Sequence, residues 1–344
     1  MVYGWFNSME PLKKPMHILV LGFDSNNKKR PGRTDAMMVV EVNPKKGIGI
    51  ISVPRDLWVE LPTVLHVKGK SIYPKDSEAD TTSETDKNGT DFKADSDSED
   101  QLEMVRINTV YRLGNRNFGK GMGIVALKEV LEQELDLKVD YTMAINYAGL
   151  NEVLNILGGV EVDVQCPIKD NFINAEMPGG YEPLYVPAGK THLTSRQALL
   201  FMRSRHGRSD MDRSRRQQLV LMGLRKELLS EKNFFQLPRL FSKMMAYVSM
   251  DMEMSTVLRV TLTVKDLRGN LHGMVLRPPM VEKLKTSDGK SVLVLNTEKY
   301  EKEKRQLFKS ALPGTKIRNT CPGEDVALNW KDAKKKAKEA DTEE

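Results

Sequence analysis

Three short apolar runs, separated by polar turns, constrain the fold of this chain more than any other feature. Residues 17–23, 35–42 and 48–53 each have the length and apolar composition of a β-strand. The turn at 43–47, which contains Asn, Pro and Gly, predicts that the second and third runs form a hairpin. No apolar run approaches the ~18 residues that are needed to span a bilayer.

Beyond residue 101 the patterns of helices and strands alternate. Helical spacing predicts helices over 121–135, 147–157, 194–203, 213–229, 234–248, 255–266 and 297–310. Strand patterns fall at 141–145, 160–164, 273–276 and 291–295. Gly158-Gly159 is a helix stop signal, and Thr194 with Gln197 fits a capping box. This mixture predicts an α/β (α+β) fold in which a mixed central β-sheet is flanked by helices.

Charge is unevenly distributed along the 344 residues. The net charge is +6, but residues 76–100 contain ten acids and only two lysines, so the rest of the chain carries 51 basic and 37 acidic residues, or +14. A body this basic indicates an anionic partner: phosphate, nucleic acid or a lipid headgroup. The segment 73–101 has too few apolar residues to fold and is predicted to be a disordered acidic insertion.

The remaining boundaries follow from composition. We predict one folded domain over 16–320, a linker over 1–15 and a charged tail over 321–344. The first 15 residues lack the features of a signal peptide, which leaves a cytoplasmic protein or an ectodomain without its anchor. The only two cysteines, Cys166 and Cys321, are expected to be buried free thiols, although one disulfide is possible.

Acids and arginines cluster where the first three predicted strands begin or end. Asp24 follows the first strand, Arg33 and Asp35 open the second, and Arg55 and Asp56 follow the third. If these strands run antiparallel, all five residues meet at one sheet edge. Carboxylates that hold a hard cation and guanidinium groups that hold phosphoryl oxygens would suit a magnesium–phosphate site. The alternative is that these are only polar residues that close strands.

A second cluster is a run of six arginines within residues 203–216. Arg203 and Arg205 lie at the end of one predicted helix, and Asp212 can cap the next. Arg213, Arg216 and Gln217 share a face of that next helix. Arginines from two helix ends can hold a pyrophosphate through paired hydrogen bonds. The alternatives are a solvated charge run or a nucleic-acid patch, and the latter is disfavoured because no aromatic residues are interleaved with the arginines.

Seven sequence blocks in order resemble the LytR–CpsA–Psr family over residues 16–265. The blocks are ILVLGFD (18–24), RTD (33–35), SVPRD (52–56), RIN (106–108), LGGVEV (157–162), QALLFMRSR (197–205) and D-x-x-R-x-x-RQQ (210–218). The resemblance implies a membrane-anchored, extracytoplasmic bacterial enzyme. Such a phosphotransferase moves a glycopolymer, such as teichoic acid or capsule, from a polyprenyl-pyrophosphate carrier onto peptidoglycan and forms a phosphodiester.

The resemblance also implies roles for individual residues. Asp24 and Asp35 match the carboxylates that bind Mg²⁺ (or Mn²⁺). The residues expected to contact the pyrophosphate are Arg33, Arg55, Arg106, Arg203, Arg205, Arg213, Arg216 and Gln217. Asp210 matches the acid that steadies the arginine loop, and Asp35 or Asp56 is expected to accept the proton of the attacking hydroxyl. Arg106 stands where the family usually has lysine.

The expected partners are the lipid-linked glycopolymer, peptidoglycan and a membrane reached through a helix upstream of residue 1, with no nucleic acid. An apolar tunnel for the prenyl chain is expected between the sheet and the helices at 147–157 and 213–229. The alternative function is a polyprenyl-(pyro)phosphate-binding protein, or a pyrophosphatase, without transfer activity. A third hypothesis is a nucleic-acid-binding regulator, but it does not explain why acids and arginines cluster at one edge of the predicted sheet.

Overall fold

A computed structural model describes residues 10–23, 34–61, 104–174, 176–204, 210–230, 233, 242–267 and 271–309. The strands are β1 (Met16–Phe23), β2 (Thr34–Asn43), β3 (Gly47–Val53), β4 (Trp58–Glu60), β5 (Met104–Arg106), β6 (Tyr141–Asn146), β7 (Val160–Val164), β8 (Ile168–Ile173), β9 (Tyr181–Val186), β10 (Gly189–Leu193), β11 (Val248–Met250), β12 (Leu271–Val275), β13 (Val281–Lys285) and β14 (Ser291–Leu295). The α-helices are α1 (Ile107–Phe118), α2 (Met122–Leu135), α3 (Tyr147–Leu157), α4 (Ser195–Arg203), α5 (Asp210–Leu228), α6 (Met254–Asp266) and α7 (Thr297–Arg305).

The three strands predicted from the apolar runs are β1, β2 and β3. They lie inside a six-stranded mixed sheet with the order β11-β6-β1-β2-β3-β12. Strands β1, β2 and β3 pair antiparallel with their sequence neighbours. Strand β6 lies parallel to β1, and β12 lies parallel to β3. The predicted mixed α/β class is therefore confirmed.

Alternation along the strands gives the sheet two different apolar faces. Leu19 and Leu21 of β1 point into a core that includes Leu127 and Leu131 of α2. On the opposite face, Ile18 packs against α6, while Val20 is only partly buried. That second face is covered by helices α3, α5 and α6 but is not filled, because a cavity lies beneath them.

The local stop and start signals act as predicted. Helix α3 ends at Gly158, which adopts a left-handed conformation with φ 80°. Helix α4 begins with a complete capping box, in which Thr194 and Gln197 satisfy each other's backbone N–H groups.

Several expectations about the elements are wrong. The helix predicted over 234–248 does not reach its end, since Val248–Met250 is a strand paired with β6. Helix α5 begins at Asp210, so Asp212 lies within the helix and does not cap it. Helix α1 and the hairpin of β8 and β9 were not predicted. The apolar residues Ile107, Val110 and Leu113 of α1 do follow helical spacing, a signal that the prediction overlooked. The hairpin has no clear alternation of apolar residues.

The expectation of free thiols is also wrong. Cys166 is buried and disulfide-bonded. The chain's other cysteine, Cys321, lies outside the described residues, as do the predicted acidic insertion and charged tail. Within the segment predicted as a linker, Leu12 is buried and its N–H donates to Thr263 Oγ1 at 2.8 Å. None of the helices in the described ranges is both long and apolar enough to cross a membrane.

Candidate functional site

The sheet edge predicted from the strand ends exists, and it joins Asp35 to Arg55. Pairing of Phe23 with Thr34 brings the end of β1 to the start of β2. Arg55 lies in the turn that follows β3, and its Nη1 is 3.1 Å from Asp35 Oδ1. Both side chains are partly exposed, so this ion pair faces a surface that a ligand can reach.

Asp56 lies between two arginines at the same edge. Its carboxylate oxygens are 3.8 Å from Arg55 Nε and 3.6 Å from Arg106 Nε. Arg106 also donates from Nη2 to the carbonyl of Ser291 at 2.9 Å, which ties the edge to the hairpin of β13 and β14. Asp56 therefore orients two guanidinium groups toward one region.

Helix α5 brings part of the second cluster to this edge. Arg213 is buried, and its Nη2 donates to the main-chain carbonyl of Asp35 at 3.1 Å. Gln217, one turn further along, lines the cavity next to the sheet. The two predicted clusters thus lie together, because the N-terminal part of α5 contacts the start of β2.

Arg216 has different contacts from its neighbours. Its guanidinium is buried, and Nε donates to the carbonyl of Phe201 at 3.0 Å. Another nitrogen, Nη2, donates to the carbonyl of Ser204. Since both carbonyls lie at the end of α4, Arg216 satisfies the open end of the helix that carries Arg203.

Arg203, the last residue of α4, is exposed at the rim of the site between two aromatic rings. Its guanidinium carbon is 5.4 Å from the ring centre of Tyr147 and 5.7 Å from that of Phe172. Both distances are within the range of a cation–π interaction. The rings hold the guanidinium in place without occupying its in-plane N–H donors.

A cavity of about 310 Å³ opens from this rim and runs beneath the helices. One end is lined by Asp35, Asn146, Tyr147 and Gln217. The rest is lined by apolar side chains of the sheet, α3, α5 and α6, among them Val20, Val40, Leu150, Leu224 and Val264. The site therefore combines a charged rim with a long apolar interior.

One charged residue lies within that apolar interior. Arg225 of α5 lines the cavity, and its Nη2 donates to the carbonyl of Val264 at 3.0 Å. Burial lowers the pKa of its guanidinium. Sequence reasoning missed this residue because nothing in its local pattern separates it from an exposed helical arginine.

Sequence reasoning also missed Asn146, Tyr147 and Phe172. Asn146 pairs with Phe23 in the sheet, so the end of β6 reaches the same edge as the end of β1. One sequence signal could have indicated Asn146 and Tyr147, because they lie where a short strand is directly followed by a helix. Ligand sites in open α/β sheets lie at the carboxyl ends of such strands.

Some predicted site residues cannot be placed. Asp24, Arg33 and Arg205 lie outside the described residues, and so does the side chain of Asp210. Within the described part of the chain, no group of three or more His, Cys, Asp and Glu side chains could hold a metal ion. Of the two carboxylates predicted to bind magnesium, only Asp35 lies within the described residues. Its carboxylate oxygens are hard ligands at the cavity rim, and they suit a cation whose other ligands are substrate phosphates.

The described residues thus place arginines and a carboxylate at the rim of an apolar cavity. The chain belongs to the LytR_cpsA_psr family, whose model matches residues 6–309. Among curated relatives it is 26% identical over 235 residues to the polyisoprenyl-teichoic acid–peptidoglycan teichoic acid transferase TagV of Bacillus subtilis (strain 168). That match covers 67% of this chain and 48% of TagV, so the chain spans about half the length of this relative.

Solved structures share the fold. The crystal structure of B. subtilis TagV aligns with a TM-score of 0.61 at 21% identity, over 87% of this chain and 97% of that one. A structure described as TagT bound to LIIa-WTA aligns with a TM-score of 0.57 at 20% identity, over 86% and 91% of the two chains.

Proposed function

We propose that this protein transfers an anionic glycopolymer from a polyprenyl-pyrophosphate carrier to peptidoglycan. The observation that carries the proposal is the apolar cavity with Asp35, Gln217 and the arginine cluster at one end. A lipid-linked pyrophosphate has the same division, because a charged head is joined to a long hydrocarbon chain. The name of the relative TagV supports this substrate class.

Different residues of the chain bind different parts of the lipid-linked substrate. The cavity takes the prenyl chain and removes it from water, which is favourable in proportion to the apolar area buried. Arg55, Arg203 and Arg213 hold the two phosphates, since guanidinium groups match phosphoryl oxygens with paired donors. Arg216 positions Arg203 by closing the end of α4. Gln217 orients the first isoprene unit of the lipid, next to the phosphates.

Asp35, together with Asp24, would hold Mg²⁺ at this rim. When bound, the cation supplies charge neutralisation for the pyrophosphate oxygens.

The reaction forms one P–O bond and breaks another. The oxygen of a peptidoglycan sugar hydroxyl attacks the phosphorus that bears the polymer, and the bond from that phosphorus to the bridging oxygen breaks. Polyprenyl phosphate leaves with the bridging oxygen, and the arginines stabilise the charge that builds on it. The hydroxyl proton passes to a carboxylate, Asp35 or Asp56. Retained transfer in Asp56→Asn would assign that role to Asp35, whereas loss of transfer in Asp56→Asn with unchanged dependence on Mg²⁺ would assign it to Asp56.

We further propose that the site works outside the cytoplasm, next to the membrane. The carrier lipid resides in a membrane, and the acceptor is cell-wall material. The disulfide at Cys166 supports this location, because such bonds persist mainly in oxidising compartments.

The test is release of polyprenyl phosphate from a polyprenyl-pyrophosphate-linked glycan, with and without Mg²⁺ and with and without peptidoglycan oligomers. We expect release that depends on Mg²⁺ and is lost in Asp35→Ala and Arg203→Ala, with the glycan recovered on the oligomer. Release without glycan on the oligomer would make the protein a pyrophosphatase. Tight lipid binding with no release under any condition would make it a binding protein.

A further inference from the structure

The β8–β9 hairpin presents an apolar, aromatic face to solvent. Tyr181 and Tyr185 are 56% and 58% exposed, and Ile173 is 86% exposed. Ile173 pairs with Tyr181 in register, and alternate residues of a strand point the same way, so Pro183 shares their face. We call Ile173, Tyr181, Pro183 and Tyr185 the outer hairpin face. Contiguous exposed apolar residues of this kind mark interaction sites.

The opposite face of the same hairpin contacts the candidate site. Phe172 packs its ring 5.7 Å from the guanidinium of Arg203. Glu182 accepts from Arg196 Nε at 2.8 Å, so the hairpin is fastened to α4, the helix that ends in Arg203. Phe172 and Ile173 are neighbours on β8 but point to opposite faces, so the outer hairpin face lies one residue from the rim, on the other side of the strand.

The β8–β9 hairpin lies near the charged end of the cavity, far from the apolar end that would hold the prenyl chain. The charged end of the cavity lies where β1 finishes, and its apolar lining continues to Val42, Ile48 and Leu271. Val42 pairs with Met16, the first residue of β1. At about 3.3 Å per residue, the two ends are about 23 Å apart. A prenyl chain in the cavity leads away from the hairpin, and the polymer and the acceptor meet beside it.

The chemistry of the outer hairpin face suits sugar rings better than phosphates. Between Tyr181 and Tyr185, the residues that share the face are Pro183 and its cross-strand partner Asn171, both neutral. Lys169 pairs with Tyr185 across the strands and shares the face, and its Nζ lies over the Tyr185 ring, 5.5 Å from the ring centre. A phosphate-rich polymer would call for cations along the whole face, whereas aromatic rings stack on the apolar faces of pyranose rings.

We propose that the outer hairpin face binds the glycan strand of the peptidoglycan acceptor. Two tyrosines four residues apart on a strand are about 13 Å from each other, which is enough to contact separate sugars of one strand. Tyrosine provides large, rigid contact area at a low entropic cost. The inference rests on the proposed function for the identity of the acceptor, while the surface itself is an observation.

The experiment measures equilibrium binding of soluble peptidoglycan oligomers to the whole chain with no lipid donor present. We expect the double variant Tyr181→Ala/Tyr185→Ala to bind about ten-fold more weakly or worse, and Tyr181→Phe/Tyr185→Phe to retain binding because stacking uses the ring and not the hydroxyl. Leu284→Ala, an exposed apolar residue on the hairpin of β13 and β14, is the control for position and is expected to bind normally.

Further measurements separate the alternatives. The affinity for the lipid-linked donor should be the same in the double alanine variant and the wild type, and the KM for the acceptor should rise while kcat is kept. Equal oligomer binding by the two proteins would overturn the proposal even if transfer is demonstrated. Loss of binding to anionic lipid vesicles, with oligomer binding unchanged, would instead make the face a membrane contact. If oligomers bind through the tyrosines but no donor is turned over, the glycan site stands and the transferase proposal fails.

Discussion

At the residue scale, the arginines of the 203–216 run differ in what their guanidinium groups contact. Arg216 is buried with its donors on carbonyls of the helix α4 end. Arg213 ties α5 to the backbone of β2. Arg203 is exposed between two rings at the rim. Identical side chains in one run therefore have structural, bridging and ligand-facing positions.

This division predicts unequal effects of the same substitution. Arg203→Ala should lower the transfer rate by a factor on the order of 100 or more, because one preorganised charge is removed from the phosphates. Its melting temperature should stay close to that of the wild type, since the side chain is exposed. Rates and thermal melts of the purified variant check both statements.

Arg215→Ala is the matched control within the same run. Arg215 donates to Gln165 Oε1 at 3.3 Å and lies 3.9 Å from Asp212, in contacts separate from the rim. We expect its transfer rate to remain within a few-fold of wild type. An equal loss of rate in both variants would show that the run acts only through its total charge.

The contact between Glu182 and Arg196 predicts a pH dependence of stability. The hydrogen bond from Arg196 holds the pKa of the Glu182 carboxyl below its usual 4.5, against an opposing effect of burial. A carboxyl with a lowered folded pKa stabilises the fold above the unfolded pKa and loses that effect as the pH falls below about 4.5. Arg196 is half exposed, so the contribution is about 1 kcal/mol or less.

Melting temperatures of wild type and Glu182→Gln measured from about pH 6 to about pH 3 test this. Wild type should be more stable at the upper end, and the difference should shrink toward the lower end. A difference that stays constant across this range would show that the ion pair does not couple to folding.

At the element scale, the position of the site depends on how closely α5 lies against β7. Gly223 of α5 faces that strand, and a Cβ there would come within 2.1 Å of Val160 Cγ2 and 2.5 Å of the carbonyl of Glu161. Only a residue without a side chain allows this approach. The same helix carries Arg213 and Gln217 at its other end, so its seating sets the rim.

Gly223→Ala should therefore destabilise the protein by about 1–3 kcal/mol through overpacking. Denaturant unfolding measures the loss. Lys226→Ala, which removes only an exposed ion pair with Glu161 of β7, should change stability by about 0.2–1 kcal/mol. If Gly223→Ala were as stable as wild type, the close approach of α5 to β7 would be refuted.

At the scale of the whole molecule, three layers leave one face of the sheet incompletely filled. Helices α1 and α2 seal the first face with a continuous core. On the second face, α3, α5 and α6 cover the sheet but leave a cavity of about 310 Å³. Partial exposure of Val20 in a central strand is a direct consequence.

Filling the cavity should block lipid binding while the fold is kept. Val20→Phe places a ring in the open space, so binding of polyprenyl phosphate should weaken at least ten-fold, as expected where a hydrocarbon chain and a side chain compete for one volume. Val125→Phe makes the same change at an exposed site on α2 and should bind normally. Unchanged lipid affinity in Val20→Phe, in a folded protein, would place the prenyl chain elsewhere.

The sequence by itself was sufficient for the features that depend on local order. Apolar runs with a turn between them predicted β1, β2 and β3, and antiparallel neighbours must bring Asp35 and Arg55 to one edge. Cap and stop signals located the beginning of α4 and the end of α3 for the same reason, since each involves residues a few positions apart.

Only the tertiary structure decided which residues surround that edge. Tyr147 lies at this edge because β6, far along the chain, pairs parallel with β1, and the end of α4 brings Arg203 against its ring. Phe172 reaches it because a hairpin that has no clear sequence pattern packs on α4. The cavity exists because three helices meet over a sheet without filling it. Each of these depends on packing between distant segments, which periodicity within any one segment does not encode.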